Sequence, residues 1–168
     1  MRRIFTAIAA MLIVASAAAQ QTQHAALERL RAAISDSCVS LKCSYSMNVS
    51  QTRIQGEVDA VLQGNAFTIH GDGIEMYCDG TKLWTVDSSV KEVYVETIEG
   101  VDVNALLDPV SAEIEYDALG NPTSAVLLMK DGLKVNIKIL SYVKSKIKPE
   151  DSFRPQVDFG PDWVVTEL

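Results

Sequence analysis

The chain has 168 residues, 48% of them apolar, which is enough for one domain with a core and too much for a disordered chain. Its formal charge of −7 makes it a poor electrostatic partner for nucleic acid, where affinity rests on Lys and Arg neutralising phosphates. Three cysteines allow one disulfide and leave one thiol over.

Residues 1–19 read as a secretory signal peptide. Met1-Arg2-Arg3 is basic, residues 4–15 are an apolar run, and Ala17-Ala18-Ala19 is a small-residue cleavage site with Gln20 as the new N-terminus. The run is short for a membrane span of about 20 residues, and no cysteine follows the small residues to carry a lipid anchor. Removing Arg2 and Arg3 takes the net charge from −7 to −9. Residues 20–168 show no repeat or linker, so they are expected to form a single exported domain.

A helix is expected over residues 24–36, where Ala25, Leu27, Leu30, Ala33 and Ile34 recur near a 3.6 period, with Thr22 as the cap. After Ser37 the period changes to two. Val39, Leu41, Cys43, Tyr45, Met47 and Val49 alternate with polar residues, and Ile54, Gly56, Val58, Ala60 and Leu62 do the same. Short alternating runs follow at 67–70, 74–78, 82–86 and 92–97, separated by Gly64-Asn65, Gly71-Asp72-Gly73 and Asp79-Gly80 turns. Residues 102–109 suit a short helix ended by Pro109. Strands are expected again at 113–116, 125–129 and 133–139, then a Pro-containing extended loop at 145–161 and a last strand at 163–167.

The expected class is mainly β with few helices: an antiparallel meander of nine or ten strands, each apolar on one face. Such a meander closes into a barrel, stacks as a sandwich, or curls with helices over its concave side. Two short helices cannot cover a long curled face easily, so an apolar interior with room for a hydrophobic ligand is one expectation. A fully packed β-core is the other.

The order of elements carries a resemblance. A leading helix runs into the Val39–Val49 alternation. Asn65-Ala66-Phe67 follows, then Asp79-Gly80-Thr81-Lys82-Leu83-Trp84, Leu106-Leu107-Asp108-Pro109, Asp151-Ser152-Phe153, and Pro161 with Val164-Val165. Over nearly all of residues 20–168 this resembles the LolA-type periplasmic lipoprotein carriers, in a shorter, divergent form. The resemblance implies a curled antiparallel sheet forming an open, unclosed β-barrel under a helical lid. It implies a periplasmic carrier that takes acylated lipoproteins from an ATP-driven extractor in the inner membrane and passes them towards an outer-membrane acceptor. A lipid or lipoprotein sensor is the alternative. Two features depart from the family. Its Arg-Pro pair before the aromatic strand, thought to tie the lid shut, is replaced by Gln63-Gly64, and the chain ends Glu167-Leu168 without a basic residue.

Under that reading the acyl chains would lie against Leu41, Tyr45, Met47, Ile54, Val58, Ala60, Phe67, Ile69, Ile74, Met76 and Trp84, with Leu27, Leu30, Ile34, Leu106 and Leu107 on the lid. Each of these positions equally suits ordinary core, and Trp84 suits a packing anchor. The thioethers of Met47 and Met76 conform easily to variable chains. Cys38 and Cys43, at the helix-to-strand corner, are a candidate disulfide. His70 points outward and the thiols inward, so no Cys–His dyad is expected, and no catalytic set, metal-ligand spacing or cofactor motif occurs. The protein is expected to act as a monomeric binder. Lys134, Lys138, Lys144, Lys146 and Lys148 form a basic stripe that suits either a solvated face or docking to anionic headgroups.

Overall fold

The computed structural model describes residues 21–98 and 109–168. The proposed signal peptide, the short helix expected at 102–109 and the lid positions Leu106 and Leu107 lie outside the described residues.

Helix α1 (Gln21–Asp36) leads directly into β1 (Cys38–Val49). Thr22 is within the helix rather than capping it. Five strands continue the meander: β2 (Thr52–Gln63), β3 (Ala66–Gly71), β4 (Ile74–Cys78), β5 (Lys82–Asp87) and β6 (Glu92–Thr97). The turns form where the sequence supplies left-handed residues, with positive φ at Gly64, at Asp72 and Gly73, and at Gly80. Then come β7 (Pro109–Tyr116), β8 (Pro122–Met129), β9 (Lys134–Ser145) and β10 (Val164–Glu167). Pro109 is the first residue of β7.

All ten strands form one sheet in the order β10-β6-β5-β4-β3-β2-β1-β9-β8-β7, whose two edges are not paired with each other. The result is the expected mainly β, curled, unclosed sheet with α1 on its concave side. One element departs from the antiparallel pattern. β10 runs parallel to β6, because residues 146–163 cross back over the sheet before it forms.

β1 is an interior strand, seventh in that order, paired along its length with β2 on one side and β9 on the other. The β9 register slips between Lys42 and Cys43, leaving Leu140 as an extra residue. This bulge reverses the parity of the rest of β9. Lys144 pairs with the inward residue Val39, so it leaves the basic stripe and its ammonium sits 5.9 Å from the Tyr142 ring.

One apolar cluster covers the inner face. It contains side chains from β1 to β5 and β7 to β9, together with Leu30, Ala33 and Ile34 of α1. A second, smaller cluster lies on the outer face, where Tyr77, Val86 and Val93 meet Trp84, Val95, Phe159 and Trp163.

The loop expected at 145–161 is a strap over that outer face. Gln63 grips its start by both amide atoms, with Nε2 donating to the Lys148 carbonyl at 2.8 Å and Oε1 accepting from the Lys148 N–H at 2.7 Å. A 3-10 turn at Glu150–Phe153 then drives Phe153 into full burial against β3. Further along, Arg154 bonds Asp79, and Lys91 pairs with Asp162 beside β10.

Candidate functional site

The inner face is the candidate site, and its lining follows from the period-two pattern. Leu41, Tyr45, Met47, Val58, Ala60, Phe67, Ile69, Ile74 and Met76 are all buried in the inner cluster, and Ile54 packs at its margin. Met47 and Met76 bring their thioethers into the same cluster. Burial of apolar surface at about 25 cal/mol per Å² both stabilises the sheet and makes this interior a favourable place for hydrocarbon.

One polar device is built into that wall. The Tyr45 hydroxyl donates to the Asp72 carboxylate in the β3–β4 turn. Tyr45 stands opposite Gly56 in the β1–β2 register, and a Cβ on Gly56 would lie 2.7 Å from the hydroxyl and 2.6 Å from the carboxylate. Gly56 is therefore the gap through which the ring reaches its partner. Burial, followed by the hydrogen bond and charge of Asp72, pushes the Tyr45 phenol well above its ordinary value.

Helix α1 covers part of the interior, packing mainly on β7, β1 and β2. Leu30 and Ile34 join the inner cluster, a placement that suits a lid and ordinary core alike; the Leu27 side chain lies outside the described residues. Both ends of the helix are tied to turns. At the C-terminal end the Gly64 N–H donates to the Ile34 carbonyl at 2.9 Å, and Ser37 satisfies the Ala33 carbonyl with its N–H and its hydroxyl. Towards the other end, the Tyr116 hydroxyl donates to the Ala26 carbonyl at 2.7 Å, and the Arg29 guanidinium lies 5.0 Å from the Tyr116 ring centroid. Arg29 also lies against Gly120, whose φ of +83° and lack of a Cβ leave room for it.

These ties bear on the missing Arg-Pro pair. Gly64 holds the helix by its backbone, and Gln63 holds the strap instead of the helix. Sequence reasoning missed Arg29, Tyr116, Asp72 and Gly56. An aromatic beside the Asp117–Asn121 turn and a lone glycine inside an otherwise regular strand were the available signals.

Two site expectations are corrected. Trp84 does not face the interior. It pairs with Tyr77 across β4–β5 and packs in the outer cluster under Phe159 and Trp163, so it is excluded from any inner pocket. Cys38 and Cys43 do not form a disulfide, and all three thiols are free and buried. β1 begins at Cys38, so both residues belong to one extended strand, where five residues at about 3.3 Å each separate them far beyond disulfide reach. Burial, with the Asp59 charge added, pushes the Cys43 thiol up to about 12. Burial also raises Cys78 to about 11, against a hydrogen bond from the Gly80 N–H. Among the described residues no group of three His, Cys, Asp or Glu side chains is placed to hold a metal ion.

The Asp79–Trp84 motif has a structural job. Asp79 Oδ1 accepts from the Thr81 N–H, the Thr81 hydroxyl and the Lys82 N–H, while Oδ2 accepts from Arg154 Nε at 2.7 Å. Its side chain is 3% exposed. Burial alone would raise its pKa, but these four donors outweigh it and hold the carboxyl down at about 2.

Comparison with known proteins adds the fold. No protein-family model and no curated protein matches the sequence. Among solved structures, a conserved uncharacterized protein from Thermus thermophilus is similar over 88% of this chain and 100% of its own, with 8% identity and a TM-score of 0.58. A LolA superfamily protein from Nitrosomonas europaea is similar over 79% of this chain and 97% of its own, with 10% identity and a TM-score of 0.49. The Thermus match shows that the fold recurs in a protein of nearly unrelated sequence.

Proposed function

We propose that the protein is a periplasmic carrier that receives the acyl chains of lipoproteins between α1 and the inner face of the sheet. It would accept cargo released by an ATP-driven extractor in the inner membrane and pass it to an acceptor at the outer membrane. One observation carries this reading: a single apolar cluster extends across eight strands of a sheet that never closes, with one tethered helix as its described cover. Access to such an interior needs only the helix to part from the sheet, whereas a closed barrel would have to break its wall. The ordered sequence motifs that resemble the LolA-type carriers point the same way.

The energetics suit a carrier. A chain of about sixteen carbons gains roughly 12 kcal/mol on leaving water, at about 0.8 kcal/mol per CH₂. Unassisted transfer through water is negligible. The carrier has to bind less tightly than its acceptor, and a compliant wall containing Met47 and Met76 under a helix held by a few hydrogen bonds serves that need better than a rigid pocket.

The test is native mass spectrometry of the protein purified from a periplasmic expression host, followed by titration with a fluorescent triacylated lipopeptide. The carrier reading expects saturable one-to-one binding and release to acceptor vesicles. Binding without release would move the assignment to a lipid or lipoprotein sensor. No binding, and a thermal midpoint indifferent to lipopeptide, would end both.

A further inference from the structure

We propose that the outer face of β1, β2 and β9 is a docking surface for a bilayer rich in anionic phospholipid, with a trough that seats the phosphate headgroups. This surface lies on the opposite side of the sheet from the interior, and it stands whether or not the interior holds acyl chains.

The trough is a depression of about 470 Å³. Its shape follows from the register. Ser44 and Ser46, short residues on β1, face Lys138 and Asn136 on β9 and Glu57 and Gln55 on β2. Long side chains on both sides of two serines make a channel floored by hydroxyls, with Arg53 at one end. Lys138 and Arg53 provide cations to a headgroup phosphate, and the serines, Gln55 and Asn136 provide hydrogen bonds to its esters and hydroxyls.

The flank of the trough is charged in the matching sense. Lys134 and Lys138 stand on the outer side of β9 and Lys146 and Lys148 follow its end, with Asp131 the one acid in residues 130–148 of a protein of net charge −7. Among the described residues the ammonium groups of Lys134, Lys138, Lys146 and Lys148 make no ion pair. Glu57, the acid in the trough, is 3.5 Å from Lys42 and largely offset by it. Asp59 lies further along β2, and Glu113 and Glu115 face outward on β7, where Glu115 accepts from the Ser124 hydroxyl.

Apolar residues stand among these lysines. Leu140 is 45% exposed, Val143 53% and Ile147 62%. The bulge accounts for Leu140 and Val143, and Ile147 follows just after the end of β9. Restarting the alternation at Leu140 places Val143 opposite Ser40 on the outer face, two pairs along from Lys138. Exposed aliphatics ringed by lysines bind an interface by burying apolar surface while the cations meet anionic headgroups. A soluble acidic or phosphorylated protein would match the lysines but leave Leu140, Val143 and Ile147 without a purpose.

Vesicle co-flotation of the purified protein tests this, using phosphatidylcholine alone against phosphatidylcholine with phosphatidylglycerol. The protein should float only with the anionic vesicles, and the bound fraction should fall steeply as salt is raised. Lys134→Glu with Lys138→Glu, and separately Val143→Ser with Ile147→Ser, should each weaken partitioning about tenfold or more. All four side chains are solvent-exposed, so circular dichroism and lipopeptide binding should be unchanged, which separates failure here from failure of the carrier reading. Equal flotation with both vesicle types, no flotation, salt-insensitive binding, or an undiminished charge-reversal variant would overturn the proposal.

Discussion

Arg154 Nε donates to the Asp79 carboxylate across 2.7 Å, joining residues 75 positions apart in the sequence. The bond connects the strap to the β4–β5 turn, and the same carboxylate organises that turn through three further donors. Because the folded-state pKa of about 2 lies below the ordinary carboxylate value of 3.8, the stabilisation is complete above pH 4 and is lost as pH falls through 2. Between those limits the protein should lose about 2 kcal/mol attributable to Asp79, at 1.36 kcal/mol per pKa unit and allowing for solvent around Arg154. Urea titrations at several acidic pH values would show it. Asp79→Asn should flatten that dependence and lower stability at pH 7 by about 2 kcal/mol, whereas Arg154→Ala, with a half-exposed guanidinium screened by solvent, should cost clearly less.

Gly71 should be more sensitive to a methyl group than Gly56. A Cβ at Gly71 meets the Glu57 carbonyl at 2.7 Å and Val58 Cγ1 at 2.6 Å, so backbone has to move. At Gly56 the obstacles are the Tyr45 ring and the Asp72 carboxylate, which can swing aside at the expense of their hydrogen bond. Gly71→Ala should cost about 2–3 kcal/mol and Gly56→Ala about 1–2 kcal/mol in denaturant unfolding. The reverse order would refute this account of the two strands.

The N-terminal half of α1 should loosen when Tyr116 loses its hydroxyl. Tyr116→Phe removes the bond to the Ala26 carbonyl and keeps the ring beneath Arg29. Hydrogen exchange in α1 should accelerate locally, with a global loss of about 1 kcal/mol. If α1 gates the interior, lipopeptide should also enter faster. Gly120→Ala should act on the same end of the helix by displacing Arg29.

The three thiols should be silent in the folded protein. Cys43 and Cys78 are buried, with pKa values of about 12 and 11, so almost no thiolate exists at pH 8. Ellman's reagent should detect no fast-reacting thiol under native conditions and three equivalents in guanidinium, and unreduced intact mass should match three free thiols. Detection of only one thiol after unfolding would restore the disulfide.

Much of this architecture was legible because one face of the sheet is apolar and the other polar. The Val39–Val49 alternation identified β1, its inward set and, through its length, a long interior strand. What escaped depended on partners distant in sequence. Trp84 was assigned inward from its motif, but Phe159 and Trp163, brought in by the strap, give the outer face of β5 an apolar environment of its own. Parity in β9 holds up to Ile139 and fails beyond it because the Leu140 bulge is a property of the pairing with β1. The parallel setting of β10 follows from the path of the strap, which no local pattern encodes. Cys38 and Cys43 were placed across a corner although the helix ends at Asp36 as expected; one residue, Ser37, separates helix from strand, so both cysteines fall within β1.

The position of β1 governs how the molecule can be made. Cys38 and Ser145, hydrogen-bonded neighbours at one end of the β1–β9 pair, are 107 residues apart. The first strand to be synthesised thus receives its second neighbour almost last, and until then its outer N–H and C=O groups on that edge are without a strand. A fragment ending before residue 134 has the hairpins but lacks β9, the strand that joins β1 to β8. Folding should be slow for the chain's size and should pass through states in which β1 has an open edge.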